Sequence, residues 1–394
     1  MHVELTKSRI SCTSPWEAEP LAMRLSELLA GRDDFRVAYL YEVPDTSTFR
    51  YRVYNMVEAL RTARPRVSAT WFQVSEATAL GAHLRDLDVL VLSRIRYSRT
   101  IGDLIVRARA FGVRILAECD DLVFSIRHAH LVAVNNDQPT DSHSFMDRWY
   151  AYCGRLSATV SHCDGGIATN DVLAEHMETV CGGPVAVVPN FLNREQEELS
   201  RRLLAVKQNR GFRSTGRTVI GYFSGSPTHN QDFAIALPAI KQLMAEDEEV
   251  GLRIVGFMES FSELADLGSR VERISLQNYM NLQVAVAEVD VNIAPLQLND
   301  FTNCKSELKF FEAAAVGTYT CASPNHSFTS AISSPYQGIL CEAGDWLRSL
   351  REAVAFARNS ETYAGHAIAT AEAVYDRYGW DRNVDAILDA VAPD

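Results

Sequence analysis

The sequence predicts an α/β protein made of two Rossmann-like domains, each a doubly wound parallel sheet, with a cleft between them. The chain has 394 residues, and a single hydrophobic core stops growing near about 250–300 residues. Short apolar runs alternate with amphipathic segments, which is typical of parallel strands covered by helices on both faces. This alternation stops once near the middle of the chain and then restarts.

The first half carries the first series of alternating elements, with strands in the apolar runs. The predicted strands are 36–41, 67–72, 89–93, 113–117, 166–168 and 185–188. The predicted helices are 101–111, 144–159 and 171–180, and residues 53, 56, 57 and 60 also recur at helical spacing.

The second half repeats the pattern after a charged, turn-rich stretch at 193–216, which we predict to be the linker and hinge. The predicted strands are 218–223, 252–256, 271–275, 289–294, 319–322 and 338–341. The predicted helices are 232–245, 280–287, 306–316, 346–358, 362–378 and 380–391. The pattern therefore predicts an N-terminal domain at 1–192 and a C-terminal domain at 217–376.

Charge and cysteine content exclude several functional classes. The net charge is −12, which argues against a nucleic-acid partner, because nucleic acid selects basic faces. The eight cysteines form no Cys-x-x-Cys pair, so reduced thiols are expected rather than a zinc site. With no signal peptide and no long apolar run in the sequence, we expect a cytoplasmic protein. The sequence does not decide whether the protein contacts the inner face of a membrane. It does not decide the oligomeric state either.

Gly225 and Ser226 follow the predicted strand 218–223 and precede a helix. Ligands of doubly wound sheets bind beyond the carboxyl ends of the strands. A small-residue loop entering a helix offers free N–H groups and the positive end of the dipole to a phosphate. A plain strand–helix turn is the alternative. Neither G-x-G-x-x-G nor the P-loop motif occurs, so NAD and P-loop sites are not predicted.

A predicted helix places Lys305, Lys309 and Glu312 on one face, at i, i+4 and i+7 spacing. Lysines at the start of a helix oppose its dipole, and a bound anion offsets that cost. A carboxylate further along can accept two hydrogen bonds from a ribose diol. The alternative is a solvated face of ion pairs.

The run KSELKFFEAAAVGTYTCASP resembles the sugar-nucleotide motif of the GT-B glycosyltransferases of family four (glycosyl transferases group one). The preceding VDVNIAPL resembles the family's strand and proline, and TVIGYFSGSPTHNQDF resembles its phosphate loop. Tyr378-Gly379-Trp380 resembles the start of the helix, here 377–394, that crosses back to the first domain. The likeness is good over residues 218–392 and mostly architectural before them.

The resemblance implies a GT-B fold and transfer of a sugar from a nucleoside-diphosphate sugar to an acceptor hydroxyl. The N-terminal domain would bind the acceptor and the C-terminal domain the donor. Glu312 would hold the ribose, and lysines with a helix end would neutralise the diphosphate, so neither a metal nor a cofactor is expected. The implied donor-binding residues are Gly225, Ser226, Lys305, Ser306, Lys309 and Glu312.

One position departs from the family's pattern. The usual pair of glutamates has seven residues between its members, but the position eight before Glu312 is Cys304. Glu307 is a poor substitute, because it falls on another face of the helix. The departure leaves the donor sugar and the stereochemistry, retaining or inverting, undetermined.

Asp120 and Asp121 follow the predicted strand 113–117, where carboxylates point into the cleft. Either can serve as a general base for an acceptor hydroxyl, and a capped turn is the alternative. Arg52 and Arg94 are also expected on the cleft side, where arginines suggest an anionic ligand. The alternative is that both arginines lie on the surface and bind no ligand.

The leading interpretation is a transferase in polysaccharide, glycolipid or cell-envelope glycan synthesis. Its partners would be a nucleotide sugar and a glycan or glycolipid acceptor. A GT-B-fold sugar-nucleotide epimerase stays open, and it would need no acceptor. A non-catalytic nucleotide-sugar-binding protein also stays open, and it would show neither transfer nor hydrolysis.

Overall fold

The computed structural model describes residues 10–31, 34–45, 47–63, 67–136, 138–212, 216–225, 230–258 and 262–392. The strands in these ranges are β1 (Phe35–Tyr41), β2 (Val67–Gln73), β3 (Val89–Ser93), β4 (Arg114–Cys119), β5 (Gly165–Ala168), β6 (Val185–Val187), β7 (Thr218–Ser224), β8 (Val250–Gly256), β9 (Val271–Ile274), β10 (Val291–Ala294), β11 (Tyr319–Ala322) and β12 (Gly338–Leu340). The α-helices are α1 (Leu21–Leu28), α2 (Asn55–Ala63), α3 (Ala77–Ala82), α4 (Arg99–Ala110), α5 (Ala129–Asn135), α6 (His143–Ser161), α7 (Asp171–Glu178), α8 (Arg194–Asn209), α9 (Asn230–Glu246), α10 (Tyr279–Ala287), α11 (Asp300–Asn303), α12 (Leu308–Ala315), α13 (His326–Ala331), α14 (Trp346–Arg358), α15 (Ser360–Tyr378) and α16 (Val384–Val391).

The first six strands form one sheet in the order β2-β1-β3-β4-β5-β6. Neighbouring strands are parallel, and Val37 of β1 pairs with Ala69 on one side and Val89 on the other. The central strand β3 is buried at every position, because helices cover both faces of a doubly wound sheet. This arrangement accounts for the continuous apolar run VLVLS.

The last six strands form a second parallel sheet in the order β12-β11-β10-β7-β8-β9. Its inner strands β10 and β11 are also buried throughout. Two six-stranded parallel sheets with helical crossovers confirm the predicted fold class. The domain limits at residues 192, 216 and 376 stay a prediction.

Each sheet has one point at which the strand order reverses. That point lies between β1 and β3 in the first sheet and between β7 and β10 in the second. Ligands of doubly wound sheets bind in the crevice beyond the strand ends at such a point. Arg94 follows β3 and Gly225 follows β7, so both lie where a ligand is expected.

The connection after β1 differs from the single helix that the sequence indicates. A π-helical turn, Arg50–Tyr54, precedes α2, and all five of its residues are buried. A π-turn has one extra residue in its hydrogen-bonded ring and occurs often at functional sites. The turn faces the second half of the chain, where it meets α12.

The C-terminal helices contact the first half. The Leu192 N–H donates to the Tyr378 carbonyl oxygen at 2.9 Å. Arg114 Nη1 donates to the carbonyl oxygens of Ala390 and Val391 at 3.3 and 3.2 Å. Within the described ranges, no helix combines the length and the apolar character that crossing a membrane requires.

Candidate functional site

Arg94 lies at the reversal point of the first sheet in a backbone conformation that is rare for arginine. Its φ is +48°, which costs a residue with a side chain about 1–2 kcal/mol. Nη1 donates to Asp120 Oδ1 at 3.0 Å and Nη2 donates to Tyr152 Oη at 3.1 Å. Burial acts to lower the Arg94 pKa, but Asp120 and Asp121 raise it well above its usual value. Backbone strain of this kind is common at ligand sites.

The two adjacent aspartates share Arg94, whose Nη1 also lies 3.6 Å from Asp121 Oδ2, but they differ in their other partners. Asp120 accepts from Arg94 through Oδ1 and from Thr48 Oγ1 through Oδ2, the latter at 2.8 Å. Both Asp120 oxygens are therefore engaged within the first half. Asp121 Oδ1 instead lies 3.4 Å from Lys305 Nζ, which belongs to the second half. Asp121 is thus the carboxylate that reaches across the cleft.

Two asparagines of the first half hold the segment that carries Lys305 and Ser306. Asn170 Nδ2 donates to the Lys305 carbonyl oxygen at 3.3 Å and to Ser327 Oγ at 2.9 Å. Asn190 Nδ2 donates to Ser306 Oγ at 2.8 Å. Neither asparagine belongs to a sequence motif that predicts a binding site. They follow β5 and β6, so the rule that residues after parallel strands line the crevice is the signal that points to them.

Lys309 lies in the first turn of α12, and its Nζ is 5.0 Å from the centre of the Tyr222 ring. Burial lowers the Lys309 pKa to about 8, with Asp232 acting in the opposite direction and Lys305 adding to the decrease. The desolvated ammonium is costly, and an anion bound beside it would favour the charged form.

Glu312 is buried on α12 and is held by groups from outside its own helix. Tyr51 Oη donates a short hydrogen bond to Oε1, and Gln196 Nε2 donates to the same oxygen at 3.1 Å. Arg50 Nη2 lies 3.5 Å from Oε1. The π-helical turn and α8 therefore fix the orientation of this carboxylate. Neither Tyr51 nor Gln196 belongs to a recognisable motif, so the sequence does not predict their contacts with Glu312.

Gly225 directly follows β7, where a phosphate loop is predicted. Gly225 is exposed, and a Cβ there would meet no described atom within 4 Å. Ser226 lies outside the described residues. Gly256, at the end of β8, has a φ of +100°, and a Cβ there would lie 1.9 Å from the Ser224 carbonyl oxygen. Only glycine permits this close approach of the two strand ends beside Gly225.

Arg52 lies in the interior of the first half and not in the open cleft. Its Nε donates to Glu118 Oε1, and both side chains are fully buried. Nη1 donates to the Val188 carbonyl oxygen at 2.8 Å and to Asn190 Oδ1 at 3.1 Å. Burial raises the Glu118 pKa and Arg52 opposes that change. This position makes Arg52 a support for the site, and direct contact with a ligand stays a prediction.

Cys304 occupies the position at which the family-four motif, which the sequence resembles, has its first glutamate. Cys304 is fully buried, next to the buried Phe301 in the same apolar cluster. Glu307 accepts a hydrogen bond from Tyr378 Oη at 2.6 Å, so it is directed toward the end of α15. Neither side chain replaces the missing carboxylate at the cleft.

A cavity of about 680 Å³ lies beside Asp121 and Lys305. Arg94 and Arg96 line it from the end of β3, and α6 contributes aromatic side chains. Its volume falls in the range of about 300–1,000 Å³ that is usual for small-molecule sites. The cavity therefore adjoins the residues that the sequence assigns to the reaction centre.

The described part of the chain contains no group of three or more His, Cys, Asp or Glu residues arranged to hold a metal ion. The Asp-x-Asp sequence before β3 has local roles instead. Asp88 Oδ2 accepts from the Arg36 N–H at 2.7 Å, and Asp86 Oδ2 lies 3.2 Å from His83 Nδ1.

Comparison with known proteins gives structural relatives only, since no family model and no curated protein matches the sequence. Anabaena HepE, solved with UDP and glucose, has a TM-score of 0.60 at 12% identity and covers 91% of this chain and 100% of HepE. A glycosyltransferase from Rickettsia africae has a TM-score of 0.58 at 9% identity, covering 92% and 100%. Sucrose-phosphate synthase from Thermosynechococcus elongatus has a TM-score of 0.55 at 14% identity, covering 89% and 96%. These likenesses show that the chain has the GT-B fold.

Proposed function

We propose that this protein is a family-four glycosyltransferase that moves a sugar from a nucleoside-diphosphate sugar to an acceptor hydroxyl. The observation that carries the proposal is the approach of Lys305 to Asp121, at 3.4 Å across the cleft. It joins a lysine of the donor motif to a carboxylate that follows β4. The solved structures of HepE with UDP-glucose and of TarM with UDP support a nucleotide-sugar donor.

The donor site is proposed on the second half. Glu312 has Oε1 occupied by Tyr51 and Gln196, so Oε2 is the oxygen that we assign to the ribose diol. Lys309 and Lys305 supply positive charge to the diphosphate, together with the amino end of α12. This charge takes the place of the cation that other transferases use, which is why we expect activity without added metal.

The acceptor is proposed to bind on the first half, with its hydroxyl at Asp121. Asp120 is already held by Arg94 and Thr48, so we assign it to positioning Arg94. Asp121 lines the cavity beside the cleft, whereas Asp120 does not. Closure of the two halves would exclude water from the reaction centre.

The first experiment measures thermal stabilisation by UDP, GDP, dTDP, ADP and CMP sugars without added metal. A ligand at a hundred times its Kd adds about 2.7 kcal/mol to the free energy of unfolding. We expect a shift with one nucleotide, UDP being the first to test. Glu312→Gln and Lys309→Ala should each abolish that shift, and the exposed Glu361→Gln should retain it.

Product analysis separates the proposed function from its alternatives. Acceptor-dependent release of nucleoside diphosphate supports transfer. Conversion of the donor sugar without an acceptor would identify an epimerase, and binding with neither reaction would identify a non-catalytic protein. A full shift in both Glu312→Gln and Lys309→Ala would contradict the donor-site assignment.

A further inference from the structure

Helix α6 presents one consistent face to the cavity beside Asp121 and Lys305. Phe145, Arg148, Trp149 and Tyr152 line the cavity, and their spacing of i, i+3, i+4 and i+7 places them on one side of the helix. Three are aromatic and one is cationic. None of these four residues belongs to the donor motif or to the strand ends that the sequence analysis singled out.

Two of these rings form a corner suited to a carbohydrate. The Trp149 and Tyr152 ring centres are 5.8 Å apart and their planes are at 90°. Both side chains are only partly buried and line the cavity, so a ligand there can contact the rings. The C–H face of a sugar ring is apolar and packs against such rings, while its hydroxyls reach polar groups.

The charge of the cavity lining is opposite to that of the whole chain. The chain carries a net charge of −12. The charged side chains lining the cavity are four cations and one carboxylate, namely Arg94, Arg96, Arg148, Lys305 and Asp121. A cavity of one sign in a protein of the other sign concentrates ligands of the protein's own sign. The lining therefore favours an anionic ligand.

Among the described residues, Arg148 is the cation of the cavity lining that forms no ion pair with a carboxylate. Arg94 is bound to Asp120, and Lys305 faces Asp121. Arg96 makes a two-pronged ion pair with Glu42 at 3.0 and 2.8 Å. Arg148 is exposed, and its recorded contact is with the Phe145 ring, 5.3 Å from its centre. Its planar guanidinium matches a carboxylate or a phosphate.

We propose that the cavity binds the acceptor, and that the acceptor is a carbohydrate bearing an oxyanion. The sugar ring packs in the Trp149–Tyr152 corner and the oxyanion pairs with Arg148. This inference rests on the proposed function, because Asp121 and Lys305 of the proposed reaction centre line the same cavity. A sugar carboxylate and a sugar phosphate both present an oxyanion to Arg148, and the test distinguishes between these two sources.

The test compares binding of matched neutral and anionic sugars by saturation-transfer NMR. Methyl β-D-glucuronide is paired with methyl β-D-glucoside, and D-glucose 6-phosphate is paired with D-glucose. We expect the anionic member of at least one pair to bind about tenfold more tightly. The preferred pair identifies the source as carboxylate or phosphate. The preference should vanish at about 1 M salt, where the Debye length is about 3 Å.

Two arginine variants test whether the preference for the anionic sugar depends on Arg148. Arg148→Ala removes an exposed side chain, so the fold should persist, and it should erase the preference for the anionic sugar. Arg127→Ala, which removes an exposed arginine outside the cavity lining, should retain it. Equal binding within both pairs, or an unchanged preference in Arg148→Ala, would overturn the proposal.

Donor binding in the same samples distinguishes this inference from the proposed function. If a nucleotide sugar binds and no anionic preference appears, the cavity assignment alone fails. If the preference follows Arg148 and no nucleotide sugar stabilises the protein, the cavity binds anionic sugars and the transferase proposal fails.

Discussion

At the scale of single residues, the site contains groups whose properties depend on burial. Lys309 is a partly buried lysine whose pKa is lowered by desolvation to about 8, and Arg94 has a strained backbone with a φ of +48°. The sequence identified both residues but neither property, because burial and backbone conformation arise from packing against distant strands. Perturbed groups in a cleft are candidates for function.

Donor affinity should fall as pH rises from 6.5 to 9. Lys309 is charged below its pKa of about 8 and neutral above it, and only the charged form pairs with a diphosphate. Loss of one such charge-assisted contact weakens binding by about tenfold or more. Calorimetric titration of the nucleotide sugar over this range measures the change in Kd.

The matched variant is Lys309→Arg, because arginine keeps its charge throughout this range. Its Kd should show little dependence on pH, whatever its absolute affinity. A wild-type Kd that is constant from pH 6.5 to 9 would contradict the expected contact between the diphosphate and a Lys309 with a pKa of about 8.

At the scale of elements, the π-helical turn Arg50–Tyr54 links the two halves of the site. Tyr51 reaches Glu312 on α12, while Arg52 reaches Glu118 on β4. The sequence predicted a helix here, since apolar residues recur at helical spacing. It could not predict the π-turn, because the wider turn is maintained by buried polar partners that are far away in sequence.

The Arg52–Glu118 pair should show strong coupling in a double-mutant cycle. Both side chains are fully buried, so Arg52→Met or Glu118→Leu alone leaves an unpaired buried group, at a cost of about 3–5 kcal/mol. The double variant should cost clearly less than the sum of the two. Urea unfolding measures the change in the free energy of unfolding for each single variant and for the double variant. The control is Arg348→Met, in the exposed Arg348–Glu352 pair. Simple additivity would argue against a coupled buried pair.

At the scale of the whole molecule, several contacts that cross the cleft are polar. Asn170 and Asn190 hold the 305–306 segment, and His326 Nε2 lies 2.6 Å from Asp171 Oδ1. Interfaces of this kind between domains permit relative motion. These hydrogen bonds, together with ring contacts such as Tyr51 with Phe311, join the two halves in this arrangement.

Asn170→Asp should weaken closure without weakening its own helix. The Asn170 Oδ1 accepts from the Leu173 N–H at 2.8 Å and caps α7, and aspartate retains that oxygen. The amide donor to Lys305 and Ser327 is lost, which costs the closed arrangement about 1–3 kcal/mol. Small-angle X-ray scattering should show a larger radius of gyration, and donor Kd should rise.

Asn278→Asp is the control, because Asn278 caps α10 through its contact with the Asn281 N–H and lies within the second half. Its radius of gyration should match that of the wild type. If Asn170→Asp gives an unchanged radius and an unchanged Kd, these hydrogen bonds do not determine closure.

The sequence alone determined the two parallel sheets and the donor motif. Continuous apolar strands and amphipathic helices are local patterns, so their alternation was sufficient to predict a doubly wound fold. The motif around Lys309 and Glu312 is likewise a continuous segment, and α12 carries both residues one turn apart. The prediction that Lys305 shares this helix face is wrong, because Lys305 lies in the non-helical segment before α12. Its proposed role depends on the family resemblance and stays to be tested.

Only the tertiary structure decided which side chains meet. It separated Asp121 from Asp120, placed Arg52 inside the first half, and brought Asn170 and Tyr51 to the donor segment. It also gathered the aromatic face of α6 beside Lys305. These pairs lie tens to hundreds of residues apart in the chain. Their contacts depend on strand order and on the closure of the two halves, which no local pattern of the sequence encodes.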